Sequence, residues 1–179
     1  MLMIIFLSLC LIVLIVMWCR PAASVRARRH RCYRETAHRI LRRLPELSCD
    51  GARLNYLRKI NPYVFEELLL LALEKQGLDV IRNHSYSGDG GVDGQVFIDG
   101  KRWLIQAKRY RRSISPQHVR EFGELLAREG CCGFFIHTGR TGHMSRSVCS
   151  ASPRLFIISG QRLLELLAGQ WSPFQRKSL

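Results

Sequence analysis

The strongest constraint on the fold is an Asp-Gly dipeptide at Asp99 and Gly100, which separates two runs of alternating apolar residues. This dipeptide favours a two-residue hairpin turn, because both of its residues adopt positive φ at low cost. Counting outward from the turn places Asp93 opposite Gln106. The sequence therefore predicts a β-hairpin within residues 90–110 whose register is set by its turn.

Alternation divides this hairpin into two faces, since successive side chains of a strand point to opposite sides. Asp93, Gln106 and Lys108 share one face. The other face carries an almost unbroken apolar set, comprising Val92, Val96, Ile98, Trp103, Ile105 and Ala107. We therefore expect one face to pack against the core and the other to hold polar chemistry.

The polar face has the parts needed to hydrolyse a phosphodiester. Directly opposed Cβ atoms lie about 4.5 to 5.5 Å apart, so oxygens of Asp93 and Gln106 can share one hard cation. Such a cation polarises phosphoryl oxygens and lowers the pKa of a bound water, while the Lys108 ammonium orients that water. A surface hairpin with one solvated polar face would show the same three residues, and this alternative stays open on the hairpin alone.

Three neighbouring features favour the site over a solvated face. The polar, Gly-rich stretch at 85–91 can bring backbone close to a ligand. Glu66, on the preceding predicted helix, offers a second carboxylate. The stretch KRYRR at 108–112 supplies cations for phosphates together with an interleaved tyrosine.

Patterns elsewhere predict an α/β fold. Asn61 and Pro62 open a helix that ends near Gly77, and a short β-branched strand follows at 79–84. After the hairpin come a helix, a strand, a helix, a strand and a last helix, at 116–130, 132–138, 141–151, 154–159 and 160–169. The order αβββαβαβα predicts a mixed central sheet flanked by helices.

Composition limits the classes of partner. The 179 residues are a one-domain length, and 28 lysines and arginines against 14 acidic residues give a formal net charge of +14. Such an excess is typical of proteins that meet polyanions, so nucleic acid and an anionic membrane surface are the natural partners. Because the chain has no Walker motif, dinucleotide-binding loop or heptad run, functions that depend on ATP, NAD or a coiled coil have no support.

Residues 1–19 contain no charged side chain and have the length needed to cross a bilayer as a helix. We expect an uncleaved transmembrane anchor, since the alternative, a cleaved signal peptide, has a positive n-region and a shorter apolar run. The arginines that begin at Arg20 place the C-terminal side in the cytoplasm by the positive-inside rule. The sequence thus predicts a single-pass protein of the inner (cytoplasmic) membrane with its C-terminal domain in the cytoplasm.

Four segments are predicted along the chain. They are the anchor at 1–19, a basic juxtamembrane segment and linker at 20–54, a globular domain at 55–169 and a C-terminal tail at 170–179. The basic segment contains a short amphipathic helix. Lipid headgroups and DNA phosphates are both open as its contacts.

From about Phe65 to Leu167 the sequence resembles the Mrr-type restriction endonuclease domain of the PD-(D/E)xK nuclease superfamily. The resemblance is carried by FEELL at 65–69, GDGGVDG at 88–94, LIQAKRY at 104–110, FFIHTGRTGHMS at 134–145 and LFIISGQRLLELL at 155–167. Gly-Val-Asp followed by Gln-Ala-Lys is its specific part. It implies a restriction-endonuclease-like fold, with a mixed central sheet flanked by helices.

The resemblance also implies roles for individual residues. Asp93 would bind a metal ion, Gln106 occupies the position of the superfamily's usual Glu, and Lys108 would be the catalytic lysine. Glu66 is implied as a supporting carboxylate, and the backbone carbonyl of Ala107 as a further metal contact. The implied cofactor is Mg²⁺, with Mn²⁺ as a substitute, and we expect the neutral amide of Gln106 to bind it more weakly than a Glu would.

DNA is the expected substrate and partner. We predict backbone contacts from Arg109, Arg111 and Arg112, which follow the site directly. Arg140 and Thr141 lead into a predicted helix whose N-terminus can bind a phosphate.

The sequence as a whole therefore predicts a membrane-anchored, Mg²⁺-dependent DNA endonuclease. Residues 20–60 are too short and too rich in arginine to form the separate target-recognition domain that Mrr-type enzymes generally carry. A catalytically inactive protein that tethers DNA at the membrane is the alternative from another class. A nuclease that acts on DNA junctions or on RNA would use the same chemistry and stays open as a further alternative. A homodimer stays open as the assembly.

Overall fold

The computed structural model of the protein describes residues 2–83 and 91–171. Its helices are α1 (Leu2–Arg43), α2 (Asp50–Leu57), α3 (Pro62–Lys75), α4 (Pro116–Arg128), α5 (His143–Ala151) and α6 (Gln161–Leu167). Its strands are β1 (Asp79–Arg82), β2 (Gly94–Ile98), β3 (Lys101–Lys108), β4 (Cys132–His137) and β5 (Leu155–Ile158). Most of the predicted Gly-rich loop, at 84–90, and most of the predicted tail, at 172–179, lie outside the described residues.

The five strands form one sheet in the order β1-β2-β3-β4-β5. Neighbours pair antiparallel from β1 to β3 and parallel from β3 to β5. The predicted mixed sheet flanked by helices, and the order αβββαβαβα from α3 to α6, are therefore confirmed. β1 and β5 are the two edge strands.

The hairpin formed by β2 and β3 has the predicted register. Its Asp-Gly turn has positive φ at both residues, 51° and 71°. The pairing runs without a slip from Ile98 with Lys101 to Gly94 with Ile105. Asp93 stands one residue before β2, and its backbone N–H donates to the carbonyl of Ile105 at 2.8 Å. Because Ile105 already pairs with Gly94, this bond is one residue out of register, as in a β-bulge, and the predicted pairing of Asp93 with Gln106 is not formed.

Both faces of the central strand β3 are buried, which corrects the expected division into a packed face and a polar face. Five consecutive residues, Trp103 to Ala107, are buried. One face packs under α3 and α6, and the other under α4 and α5. Val92, expected in the first set, packs with the second. A strand paired in parallel at the centre of a sheet is covered by helices on both sides, which its own alternation does not reveal.

The second half of α1 packs on α3 and is part of the same core. Ala37 and Ile40 are buried in that core with α3 residues. The ring of Tyr33 stacks on the ring of Tyr63, with centroids 5.6 Å apart. The rest of this helical segment is rich in exposed arginines, which are Arg28, Arg29, Arg31, Arg34, Arg39, Arg42 and Arg43.

The transmembrane anchor predicted at residues 1–19 is not supported. In the described part of the chain, no helix is long and apolar enough to cross a membrane. α1 continues from this stretch into the arginine-rich segment as one helix of 42 residues.

Candidate active site

The predicted site residues gather at the end of the hairpin that lies away from its turn. Asp93 precedes β2, while Gln106 and Lys108 end β3. Because β3 and β4 are parallel, their carboxyl ends meet at the same edge of the sheet, where Lys108 is in register with His137. We call this edge the catalytic edge.

Asp93 is fixed across the strand by backbone contacts. Its Oδ2 accepts a hydrogen bond from the backbone N–H of Ala107 at 2.6 Å. Short bonds from N–H groups to an ionised carboxylate are about twice as strong as neutral ones. The half-buried carboxylate is therefore held beside the residue that follows Gln106.

Gln106 is oriented by a glycine. The Gln106 side chain is 7 % exposed, and its Nε2 donates to the carbonyl of Gly91 at 2.8 Å. Gly91 has a φ of 86°, and a Cβ added there would lie 2.5 Å from Nε2, so only a glycine permits this approach. The amide oxygen Oε1 is buried and has no hydrogen-bond partner among the described residues. A buried acceptor without a hydrogen-bond partner lowers the free energy of unfolding by about 1 to 3 kcal/mol unless a ligand binds it.

Glu66 lies on the second turn of α3, within electrostatic reach of Asp93 and Lys108. The pKa of the half-buried Glu66 carboxyl is raised to about 8, chiefly by burial and then by the negative charges of Asp93 and Glu67. Lys108 acts in the opposite direction and lowers the pKa of Glu66. Two carboxyl groups thus compete for ionisation next to one ammonium, an arrangement that a bound cation would relieve.

The donor set fits a hard divalent ion. Asp93 and Glu66 carry carboxylate oxygens, and Gln106 carries a buried amide oxygen without a partner among the described residues. Oxygen-only sets of this kind suit ions such as Mg²⁺ or Mn²⁺. Among the described residues no three His, Cys, Asp or Glu side chains group as metal ligands. The oxygens other than carboxylates that fit such a site are those of the Gln106 amide and the Ala107 backbone carbonyl.

Three of the predicted DNA-contacting arginines are exposed on two paired loops beyond the catalytic edge. The backbone N–H of Arg140 donates to the carbonyl of Arg112 at 3.1 Å, and the N–H of Ile114 donates to the carbonyl of Arg140 at 3.0 Å. Arg111 is exposed on the same loop as Arg112. These two backbone hydrogen bonds hold together the loops that carry the three guanidinium groups.

Arg109 and Thr141, predicted as DNA contacts, point inward instead. Arg109 is half-buried, and its Nη1 donates to the carbonyl of Arg58 at 3.1 Å. Thr141 is half-buried too, with its Oγ1 3.2 Å from Nε2 of His137. Both side chains tie the loops to the domain in this structure.

Several polar residues that support the catalytic edge were not among the predicted site residues. Thr138 Oγ1 accepts from the N–H of Tyr110 and donates to its carbonyl, both at 3.0 Å. Arg58 Nε donates to the carbonyl of Thr138 at 2.9 Å. His137 is fully buried, and burial lowers its pKa to about 4. These contacts join positions 28 and 80 residues apart, so local patterns carry no signal for them.

The comparisons with known proteins agree with this geometry. A model of the restriction endonuclease family, the Mrr catalytic type, matches residues 57–167, which is well over half of the chain and includes Glu66, Asp93, Gln106 and Lys108. No curated protein and no solved structure matches the chain. The protein is therefore a nuclease of the restriction endonuclease type, that is, a hydrolase that acts on DNA. The chain belongs to the Mrr-type restriction endonuclease family.

Proposed function

We propose that the protein is a divalent-metal-dependent DNA endonuclease whose active site comprises Asp93, Gln106 and Lys108. One observation carries the proposal. The buried Oε1 of Gln106 has no partner among the described residues, while the next residue along the chain holds the Asp93 carboxylate through its N–H. A solvated polar face would leave these groups in water, whereas here the Gln106 amide is buried and the Asp93 carboxylate is half-buried.

Mg²⁺ is the proposed ion, with Mn²⁺ as a substitute. Asp93, the amide oxygen of Gln106 and the carbonyl of Ala107 would hold it, and Glu66 would add a supporting carboxylate. When bound, the ion supplies Lewis-acid activation of the scissile phosphodiester.

The protein's own residues then orient and stabilise the reacting groups. The Lys108 ammonium positions the attacking water and offsets the negative charge that develops on the phosphoryl oxygens. The water oxygen bonds to phosphorus and gives up a proton to solvent, while the bond between phosphorus and the sugar oxygen breaks and the leaving oxygen takes a proton from solvent. Arg111, Arg112 and Arg140 hold the flanking phosphates, which accounts for sequence-independent affinity.

Cleavage of supercoiled plasmid tests the proposal. The full chain, with Mg²⁺, Mn²⁺ or EDTA, should nick or linearise the plasmid only when metal is present. Lys108→Ala should lower the rate by about 10³-fold or more, because it removes charge stabilisation at the reacting phosphate. Lys101→Ala is the matched control, since it changes the same residue type at the exposed, opposite end of the same strand.

Either of two results would contradict the proposal. Cleavage that persists in EDTA would exclude the metal-dependent mechanism, and equal rates for Lys108→Ala and Lys101→Ala would remove Lys108 from the site. Plasmid that is bound but intact under every condition would favour the catalytically inactive, DNA-tethering alternative.

The predicted cellular location, in the inner membrane with the C-terminal domain in the cytoplasm, stays a prediction from residues 1–19. Separation of a cell lysate into membrane and soluble fractions tests it. Recovery of the full chain in the soluble fraction at moderate salt would contradict it.

A further inference from the structure

A groove runs along the outer edge of β5, the edge strand on the α5 side of the sheet. Its volume is about 580 Å³. Arg146 of α5 and Arg162 of α6 stand on its walls, and Phe156 and Ile157 of β5 are part of its floor. The hydroxyl-bearing Thr141 lines the groove toward the catalytic edge. We call it the β5 groove.

The charged residues that line the β5 groove are cationic. The lining contains Arg146 and Arg162 and no Asp, Glu or Lys. Arg146 is exposed, and its guanidinium is anchored by bonds from Nε and Nη2 to the carbonyl of Thr141, at 3.3 and 3.1 Å. Arg162 is exposed as well, and neither arginine forms a salt bridge with a carboxylate of the described residues. A polyanion is therefore the kind of ligand whose charge complements that of the β5 groove.

The floor narrows the choice of polyanion. Phe156 and Ile157 are half-buried apolar residues of this lining, Phe156 on the α6 side of β5 and Ile157 on the α5 side. A DNA duplex keeps the faces of its bases stacked inside and exposes only their edges in the grooves, so it has no base face to lay on an apolar surface. A single strand can place phosphates on the arginines and lay unpaired bases on the apolar floor, the combination that single-strand-binding proteins use.

The β5 groove lies within the length of a few nucleotides from Lys108, where the scissile phosphate is proposed to bind. Thr141 contacts His137, whose backbone is in register with Lys108 on the neighbouring strand. Two inter-strand spacings separate β3 from β5, which is about 10 Å. At about 3.4 Å per nucleotide along one strand, that distance is about three nucleotides.

We propose that the β5 groove binds a short single-stranded stretch of DNA next to the scissile phosphate, so that the enzyme acts on DNA with unpaired nucleotides. This inference rests on the proposed function and specifies its substrate. A second copy of the chain is the competing occupant of an edge strand. Two copies paired through β5 would bring Arg146 and Arg162 against arginines of the same sign, which is unfavourable.

Binding to labelled oligonucleotides tests the proposal without cleavage. The full chain, in EDTA, is titrated against a 20-nucleotide oligo(dT) and a 20-base-pair duplex, and fluorescence anisotropy gives the dissociation constants. The test variant is Arg146→Glu with Arg162→Glu. The matched control is Lys75→Glu with Arg128→Glu, which makes the same charge change at exposed positions on the last turns of α3 and α4.

We expect the test variant to weaken oligo(dT) binding about tenfold more than the control does, with the two proteins equal on the duplex. Loss of two phosphate contacts on a single strand should also lower the slope of log K against log salt by about 1.4. Equal oligo(dT) affinity in the two variants, or equal losses on duplex and single strand, would overturn the proposal. A dimer seen in sedimentation of the wild-type chain but lost in the test variant would assign the groove to a second copy and overturn it too.

A cleavage assay separates this inference from the proposed function. If Lys108→Ala cleaves like wild type while the groove variant still loses oligo(dT) binding, the proposed active site fails and the groove stands. If Lys108→Ala is inactive while the groove variant cleaves gapped and intact duplexes at wild-type rates, the active site stands and the groove fails.

Discussion

The two ends of the β2–β3 hairpin carry similar polar residues in opposite surroundings. At the turn, Asp99 and Lys101 are exposed, and the nearby pair of Arg102 and Glu129 meets at 2.9 Å on the surface. At the catalytic edge, Gln106 is 7 % exposed. The same two strands thus hold hydrated charges at one end and desolvated polar groups at the other.

This difference shows how a functional site differs from an ordinary polar surface. Water satisfies the charges at the turn, so they contribute little to stability and have no unusual chemistry. Helices cover both faces of β3 at the other end, and burial there raises the pKa of Glu66 to about 8 and leaves Oε1 of Gln106 without a partner among the described residues. Groups held at such a cost are candidates for function.

The largest expected effect compares two aspartates. Asp93→Asn keeps the size of the side chain and an acceptor for the N–H of Ala107 but removes the charge, so plasmid cleavage in Mg²⁺ should fall about 10³-fold or more. Asp99→Asn should cleave like wild type, because Asn tolerates the positive φ of the turn. Nicking rates give the comparison, and DNA binding in EDTA should stay within about threefold for both. Robust cleavage by Asp93→Asn would show that the catalytic edge is not a metal site.

The same contrast explains what the sequence could and could not predict. The hairpin register was predictable from Ile98 back to Gly94 because an Asp-Gly turn is a local constraint. Counting from the turn did not reveal the offset at Asp93, whose N–H bonds to the carbonyl of Ile105 instead of pairing with Gln106. The burial of Gln106 was not predictable in this way, since α4 covers that face and lies outside the hairpin. The inward role of Arg109 depends on the carbonyl of Arg58, 51 residues away, for which the stretch KRYRR holds no signal.

The next effect concerns Glu66 and the pH dependence of stability. Because the pKa of Glu66 is raised from 4.5 to about 8, the folded protein keeps a proton that the unfolded chain releases, and stability falls as pH rises through this window. Glu66→Gln has no carboxyl group to ionise at this position, so this loss of stability with rising pH should disappear. In EDTA the variant should be more stable than wild type at pH 8 by about 1 to 2 kcal/mol, after discounting for partial exposure, and equal to it near pH 4.5.

Urea unfolding at a series of pH values measures this difference, with Glu129→Gln as the control for loss of a carboxylate at the turn end. His137 contributes the opposite trend, because burial lowers its pKa to about 4 and the unfolded chain binds the proton first as pH falls below about 6.5. Subtracting wild type from Glu66→Gln cancels the His137 contribution. A difference that does not grow between pH 5 and pH 8 would mean that Glu66 ionises as an exposed carboxyl does.

The smallest effect compares one substitution at two glycines with positive φ, Gly91 at the catalytic edge and Gly100 in the turn. Alanine should cost about 1 kcal/mol of stability at either position through backbone strain. A Cβ at Gly100 meets nothing within 4 Å, whereas one at Gly91 would displace Nε2 of Gln106. Urea midpoints should therefore fall similarly, while only Gly91→Ala should raise the Mg²⁺ concentration for half-maximal cleavage, by about fivefold. If both variants keep the wild-type Mg²⁺ dependence, the placement of the Gln106 amide does not govern metal binding, and Asp93 and Glu66 must hold the ion without it.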